Sequence, residues 1–328
     1  MKNPFSKFRL PRFNLSGITR RGKRRAPKKP RNINKVVPTA ATPKPKKSQR
    51  QMLVQWMVVQ FVALLAVFVV SVTGLSQVYH AVQQSQLLAQ FKDELAAGTA
   101  PTGEVDFENY ILEDGVPVAI IKIPKIHLYE VVVEGTDVGT LRSGAGHRRD
   151  TVLPGQVGNS VIMGRAAAFG GPFGAISTLS PGDKFIVFTA QGKQTYEVLG
   201  TRQQKEYSPP PLEAGQSRLT LVTARGLPFA PSGLMRVDAN LVSTVQPSGP
   251  RVTSTVSVPA IYRELSVDAS GAWMLVMALQ LLLLVEIGAL WSLARMGMAR
   301  TWIVFTPLLM LSLILTMDQV TRLLPNLL

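Results

Sequence analysis

The chain has 328 residues, with 36 Lys+Arg against 20 Asp+Glu and a formal net charge of +16. Residues 1–50 hold 17 basic side chains and no acidic one, while the other 278 hold 19 basic and 20 acidic. The excess is therefore a tail, not a specific nucleic-acid face. No cysteine is present, which excludes disulfides, thiolate zinc sites and a cysteine nucleophile; the three histidines, His80, His127 and His147, make no metal-ligand pattern, and no cofactor or metal is expected.

The tail, residues 1–50, is Pro-punctuated and nearly devoid of apolar patterning, so it is expected to be disordered and to lie against anionic membrane lipids on the cytoplasmic side. Residues 51–75 contain the uncharged run MLVQWMVVQFVALLAVFVVSVTGL, long enough to cross the hydrocarbon core as an uncleaved anchor. Residues 76–115 read as an extracellular helical connector. Two further spans follow near the other end, at 272–294 and 301–320, joined by a short loop at 295–300 that carries Arg295 and Arg300. Basic residues mark the cytoplasmic side. The tail and that loop agree only if residues 76–271 lie outside, and residues 321–328 then emerge on the outer face. The expected location is a multi-pass plasma-membrane protein. Within the second span, Glu286 is a polar candidate of two possible kinds, a functional intramembrane carboxyl or a partner of Arg295 or Arg300 on the same hairpin.

Residues 116–245 change character. Short β-branched runs (VAIIKI, EVVVEG, NSVIMG, DKFIVFT, QTYEVLGT, RLTLVTA, LMRVDANLV) are separated by Pro-Gly, Gly-Asp and Gln-Gly turn signals, the pattern of an all-β barrel or sandwich. Residues 246–271, rich in Pro, Ser, Thr and Val, read as a tether to the hairpin.

Four blocks within this β region, IPKIHLYEVVVEGT, GAGHRRDTVLPGQVGNSVIMG, GPFGAISTLSPGDKFIVFT and RLTLVTA, resemble in order and spacing the sortases, and most nearly the actinobacterial class E type. The resemblance implies a closed eight-stranded sortase β-barrel. It also implies a cysteine transpeptidase, in which Cys forms an acyl-enzyme, His is the acid and base, and Arg stabilises the oxyanion. Matched residue by residue, the Cys position is Ala224, the His position is Arg165 and the Arg position is Gly233, with Arg236 the nearest arginine. Alanine has no lone pair to attack with, and arginine cannot exchange protons near neutrality. These substitutions lead to the expectation of a chain that is no enzyme, a degenerate pseudo-sortase.

The expected role is then an extracytoplasmic binding or scaffold subunit for a membrane or secreted protein of the cell envelope. An alternative is a non-catalytic binder of an extended sorting-motif-like peptide, or of an anionic wall or lipid group held by Arg165, Arg225 and Arg236. A second alternative is a transpeptidase of unrecognised chemistry.

Overall fold

A computed structural model describes residues 48–106, 108, 110–203, 206, 208–227, 230–249, 251–253 and 259–328. Nearly all of the basic tail lies outside the described residues.

The apolar run beginning near residue 51 does form a helix. It continues unbroken through α1 (Gln49–Val70), a π-helical stretch (Ser71–Leu75) and α2 (Ser76–Ala97), and ends at Gly98, whose φ of 70° is the left-handed geometry in which glycine has no Cβ penalty. Two more helices, α3 (Ala272–Met296) and α4 (Met298–Arg322), meet at Gly297. Among the described residues, three helical segments are thus long and apolar enough to cross a membrane. Many of their large side chains are exposed: Phe61 is 69% exposed, Leu284 67% and Ile303 78%. Surface of that kind suits lipid and not water.

Between them stands a closed barrel of eight strands: β1 (Pro117–Ile123), β2 (Leu128–Glu134), β3 (Ala145–His147), β4 (Gly158–Met163), β5 (Lys184–Thr189), β6 (Gly192–Gln203), β7 (Ser217–Leu227) and β8 (Ala230–Leu241). The order around it is β1-β2-β3-β4-β7-β8-β6-β5, and β1 pairs with β5 to close the ring. Closure leaves no long edge to aggregate. Two neighbours are parallel, β2 with β3 and β4 with β7; the other pairs are antiparallel.

The interior is filled by alternate residues of these strands, among them Ile121, Val187, Leu219, Leu221, Val237 and Ala239. Phe185 stacks on Tyr196 with ring centroids 5.5 Å apart, and the Tyr196 hydroxyl accepts the Gly155 N–H at 2.6 Å. That bond satisfies the one polar end of an otherwise apolar ring. Outside the ring, Leu87 and Phe91 of α2 pack on Ile120, Val131 and Val133. Gln84 of α2 accepts the Val131 N–H at 2.7 Å and donates to the Ser143 oxygen at 2.9 Å, which fixes the helix against β2.

Candidate functional site

β7 is buried on both faces, and this positions the site. Its odd residues Leu219 and Leu221 point into the barrel; its even residues Val222 and Ala224 belong to a separate cluster on the outer face with Val161, Met163, Leu141 and Leu234. Such a division follows from the two-residue period of a strand. The register sets what surrounds Ala224. Met163 of β4 lies beside Val222, so the loop that leaves β4 runs past the end of β7. Gly164 N–H donates to the Val222 oxygen at 3.0 Å, and the Thr223 hydroxyl donates to the Gly164 oxygen at 2.8 Å. Gly164 is required here, since a Cβ would come within 2.6 Å of the Phe173 ring. On β8, Leu234 is opposite Ala224, Gly233 opposite Arg225 and Arg236 opposite Val222.

The three positions matched to the transpeptidase roles are thus placed. Ala224 contributes a methyl group, 8% exposed, at the end of β7. Arg165 follows β4 immediately and is fully buried. Its Nε donates to the Leu141 oxygen at 2.9 Å, Nη2 to Val138 at 3.0 Å and Nη1 to the Leu328 oxygen at 3.0 Å. The fork of a guanidinium is spread over three backbone carbonyls, and its plane lies over the Phe169 ring at 5.0 Å. Burial, with the neighbouring Arg142 charge adding to it, pushes the Arg165 pKa down to about 9, while Asp137 opposes the shift.

Gly233 lies on the face opposite to Ala224, across from Arg225. Arg236 shares the face of Ala224 and donates through Nη2 to Glu264 at 3.0 Å. Counting along the strand separates Gly233 from Arg236 by parity, but only the pairing shows which parity faces the site.

A cavity of about 410 Å³ opens beside Ala224, lined in part by Ala167, Phe173, Ser177, Arg225, Gly226 and Leu328. Arg225 is exposed at its lip, whereas Arg165 is behind the wall, so the pair expected to share one anion pocket is split: one guanidinium faces the cavity and the other is engaged by carbonyls. Glu286 is half-buried in α3. Among the described residues no group of three or more His, Cys, Asp or Glu could hold a metal ion.

Below the site, His147 of β3 is buried with Glu134 of β2: Nδ1 is 2.8 Å from the Glu134 carboxylate and Nε2 is 2.9 Å from the Val152 oxygen. Burial alone lowers the imidazole pKa, but the Glu134 charge and the hydrogen bonds outweigh it, and the net shift is upward.

Sequence reasoning missed the wall opposite Ala224. Residues 321–328, expected only to emerge on the outer face, pack onto the barrel. Leu327 and Leu328 are 0% and 3% exposed, and they join the outer cluster beside Ala224 and Met163. The Leu327 oxygen accepts the Ala166 N–H at 2.9 Å. The signal was present as an apolar LPNLL run just past a helix end, but nothing local says where such a run docks.

Comparison with known proteins matches residues 121–237 to the family model described as the sortase domain. Residues 121–237 are thus similar to the sortase domain family. A curated relative, Sortase D of Bacillus subtilis (strain 168), is 31% identical over 117 residues, which is 35% of this chain and 58% of the relative. This chain therefore spans somewhat more than half the length of the relative it matches. Solved structures of similar chains include a Clostridium perfringens Sortase D5 transpeptidase (22% identical, 49% of this chain and 99% of that one, TM-score 0.41) and sortase C-1 from Actinomyces oris (27% identical, 49% and 99%, TM-score 0.37).

The comparisons correct one expectation. The sequence reading made the chain no enzyme, yet the family matched is one of cysteine transpeptidases and the curated relative carries the name Sortase D. The physical reason for the error is the scope of the inference. The match of Ala224, Arg165 and Gly233 to three catalytic positions rests on the sequence blocks alone, and that is too narrow a ground for the absence of any activity. The non-enzyme reading is withdrawn.

Proposed function

We propose that the chain is a multi-pass plasma-membrane protein whose sortase domain stands on the outer face as a binding and scaffold subunit for a membrane or secreted protein of the cell envelope. The observation that carries the reading is the joint between barrel and membrane hairpin. Arg142 pairs with Asp318 of α4 at 3.0 Å, Arg165 donates to Leu328, and Asn326 donates to Thr136 at 2.8 Å. An anchor needs no such joint. A platform that presents barrel and hairpin together to one partner does.

The orientation has two supports that do not depend on each other. The outer end of α4 touches the barrel, so both belong to one side. The basic tail and the loop with Arg295 and Arg300 belong to the other by charge. Because the chain contains no cysteine, single thiols report topology directly. Lys193→Cys, exposed on β6, is expected to react with an impermeant maleimide in intact cells, and Arg295→Cys only after permeabilisation. The reverse pattern would overturn the orientation.

The scaffold role is tested by gentle solubilisation from the native membrane through a tag at the N-terminal end, with mass spectrometry of what remains bound. A stoichiometric membrane or cell-wall protein is the expected result. Recovery of this chain alone would defeat the reading. A second reading, a site for an extended peptide or for an anionic wall or lipid group, is favoured by the cavity beside Ala224 with Arg225 at its lip. Unchanged binding of such ligands by Arg225→Ala would remove the anionic form of it. The class E likeness rests on the sequence blocks and belongs with these proposals.

A further inference from the structure

The outer face of β4, β7 and β8 already holds a peptide, and that peptide is part of the chain. Residues 323–328 leave α4 and run across the barrel. Asn326 is fully buried and makes three bonds: its N–H donates to the Ser266 oxygen at 3.0 Å, and its Nδ2 donates to Thr136 at 2.8 Å and to Arg263 at 2.9 Å. The next residue offers its main-chain oxygen to the Ala166 N–H, and the last offers one to Arg165 at 3.0 Å. Both leucine side chains enter the cluster formed by Leu141, Met163, Val222 and Ala224. Main-chain bonds at a few points, one side-chain amide read by backbone carbonyls, and apolar side chains in a shared recess make up the general mode by which a peptide ligand is held. The open cavity of about 410 Å³ continues directly from Leu328, so this segment fills one end of a longer groove.

We propose that residues 323–328 are a tethered occupant of the site, and that an outside peptide of the same chemistry enters only when this segment withdraws. That chemistry is a turn-forming segment, closed by the Leu328 N–H donating to the Pro325 oxygen at 3.2 Å, with an amide side chain followed by two adjacent aliphatic residues. Tethering makes the exclusion effective without high intrinsic affinity, since a short tether presents its segment at roughly millimolar effective concentration. The fold also supplies a release lever. Asp318, just before the segment, is held by Arg142, and the neighbouring Leu141 supplies the carbonyl that engages Arg165. A partner that shifts the outer end of α4 therefore acts on both ends of the occupied groove. The proposal holds whether or not the scaffold reading does, because it concerns only the barrel and its own chain.

The test uses the full chain in detergent with Ala224→Cys, the only thiol in the molecule. Its maleimide labelling rate is compared with that of the same thiol combined with Leu327→Asp and Leu328→Asp. Labelling is expected to be at least about 30-fold faster once the segment is expelled. A synthetic peptide of residues 323–328, added at millimolar concentration, is expected to slow it again. Equal rates in the two proteins, with β1 and β5 amides protected alike, would overturn the proposal, as would failure of the peptide to protect. If the double aspartate variant does not fold, Asn326→Ala supplies the same readout: faster labelling supports the tethered occupant and an unchanged rate overturns it. Partner recovery is measured separately, so failure of the scaffold reading leaves this result distinct.

Discussion

The barrel has two apolar clusters, separated only by the thickness of β7, and they are closed in different ways. The inner one, around Phe185, Tyr196, Leu221 and Val237, is sealed by strands that succeed one another over about a hundred and twenty residues and by closure of the ring. The outer one, around Met163, Val222 and Ala224, would lie open if the strands were all there was. It is covered by Leu265 of the tether and by Leu327 and Leu328, which come back to it after two membrane-length helices. The inner cluster is therefore a property of the domain, and the outer one a property of the whole chain. A function that depends on opening can use only the second.

The largest expected effect falls on the inner cluster. Phe185→Ala removes a stacked, fully buried ring and is expected to cost about 3–5 kcal/mol of global stability. Chemical denaturation in detergent followed by near-ultraviolet circular dichroism checks it. A cost below about 1 kcal/mol would mean that the interior is not the tightly packed region.

Leu327→Ala is expected to act locally. A buried leucine truncated to alanine costs about 2–3 kcal/mol, at the low end of its range because the segment can relax outward. That corresponds to roughly 100-fold faster hydrogen exchange at the Ala166 amide. Amides of β1 and β5 should be unchanged. If they accelerate together with Ala166, the two clusters are one cooperative unit and the comparison fails.

A smaller effect distinguishes the polar pair beneath them. The pKa of His147 is raised in the folded protein, so its contribution is fully present below the ordinary histidine value and is lost as pH rises through the folded value. Unfolding free energy should fall as pH is raised from below the ordinary histidine value through the raised folded value in the native protein. His147→Gln should lose that dependence. A slope that survives in the variant would assign it to another group.

The smallest expected change is at the joint with α4. Arg142 and Asp318 are partly exposed, with side chains 13% and 35% accessible, and such pairs contribute about 1 kcal/mol or less. Asp318→Asn should therefore leave the melting temperature within about two degrees while raising protease sensitivity around residues 319–326. No change in that sensitivity would mean that the pair does not hold the segment down.

Much of the fold was legible because its signals are local. Alternation in VAIIKI and DKFIVFT, turn pairs such as Pro181-Gly182, and uncharged runs long enough to span a bilayer need no knowledge of distant residues. Ala224 and Arg165 were picked out through the ordered blocks around them. Their surroundings were not. Nothing near Arg165 in sequence announces that Val138, Leu141 and Leu328 will supply its acceptors, since those residues are 27, 24 and 163 positions away. The reading of Arg165 and Arg225 as one anion pocket failed for the same reason. Neighbourhood at the end of a strand does not say which side chain turns to solvent and which is drawn inward by carbonyls.

By itself the sequence determined the alternating strands, the apolar helices, the sign and place of the charge, and the absence of a thiol, because each depends on residue type and spacing along the chain. Only the tertiary structure decided that the even face of β7 carries the outer cluster with Ala224, that Arg236 shares that face, and that Leu327 and Leu328 pack on it. Those facts depend on strand register, barrel closure and the return of a distant segment. These are long-range pairings whose free energy exists only once the whole ring has closed.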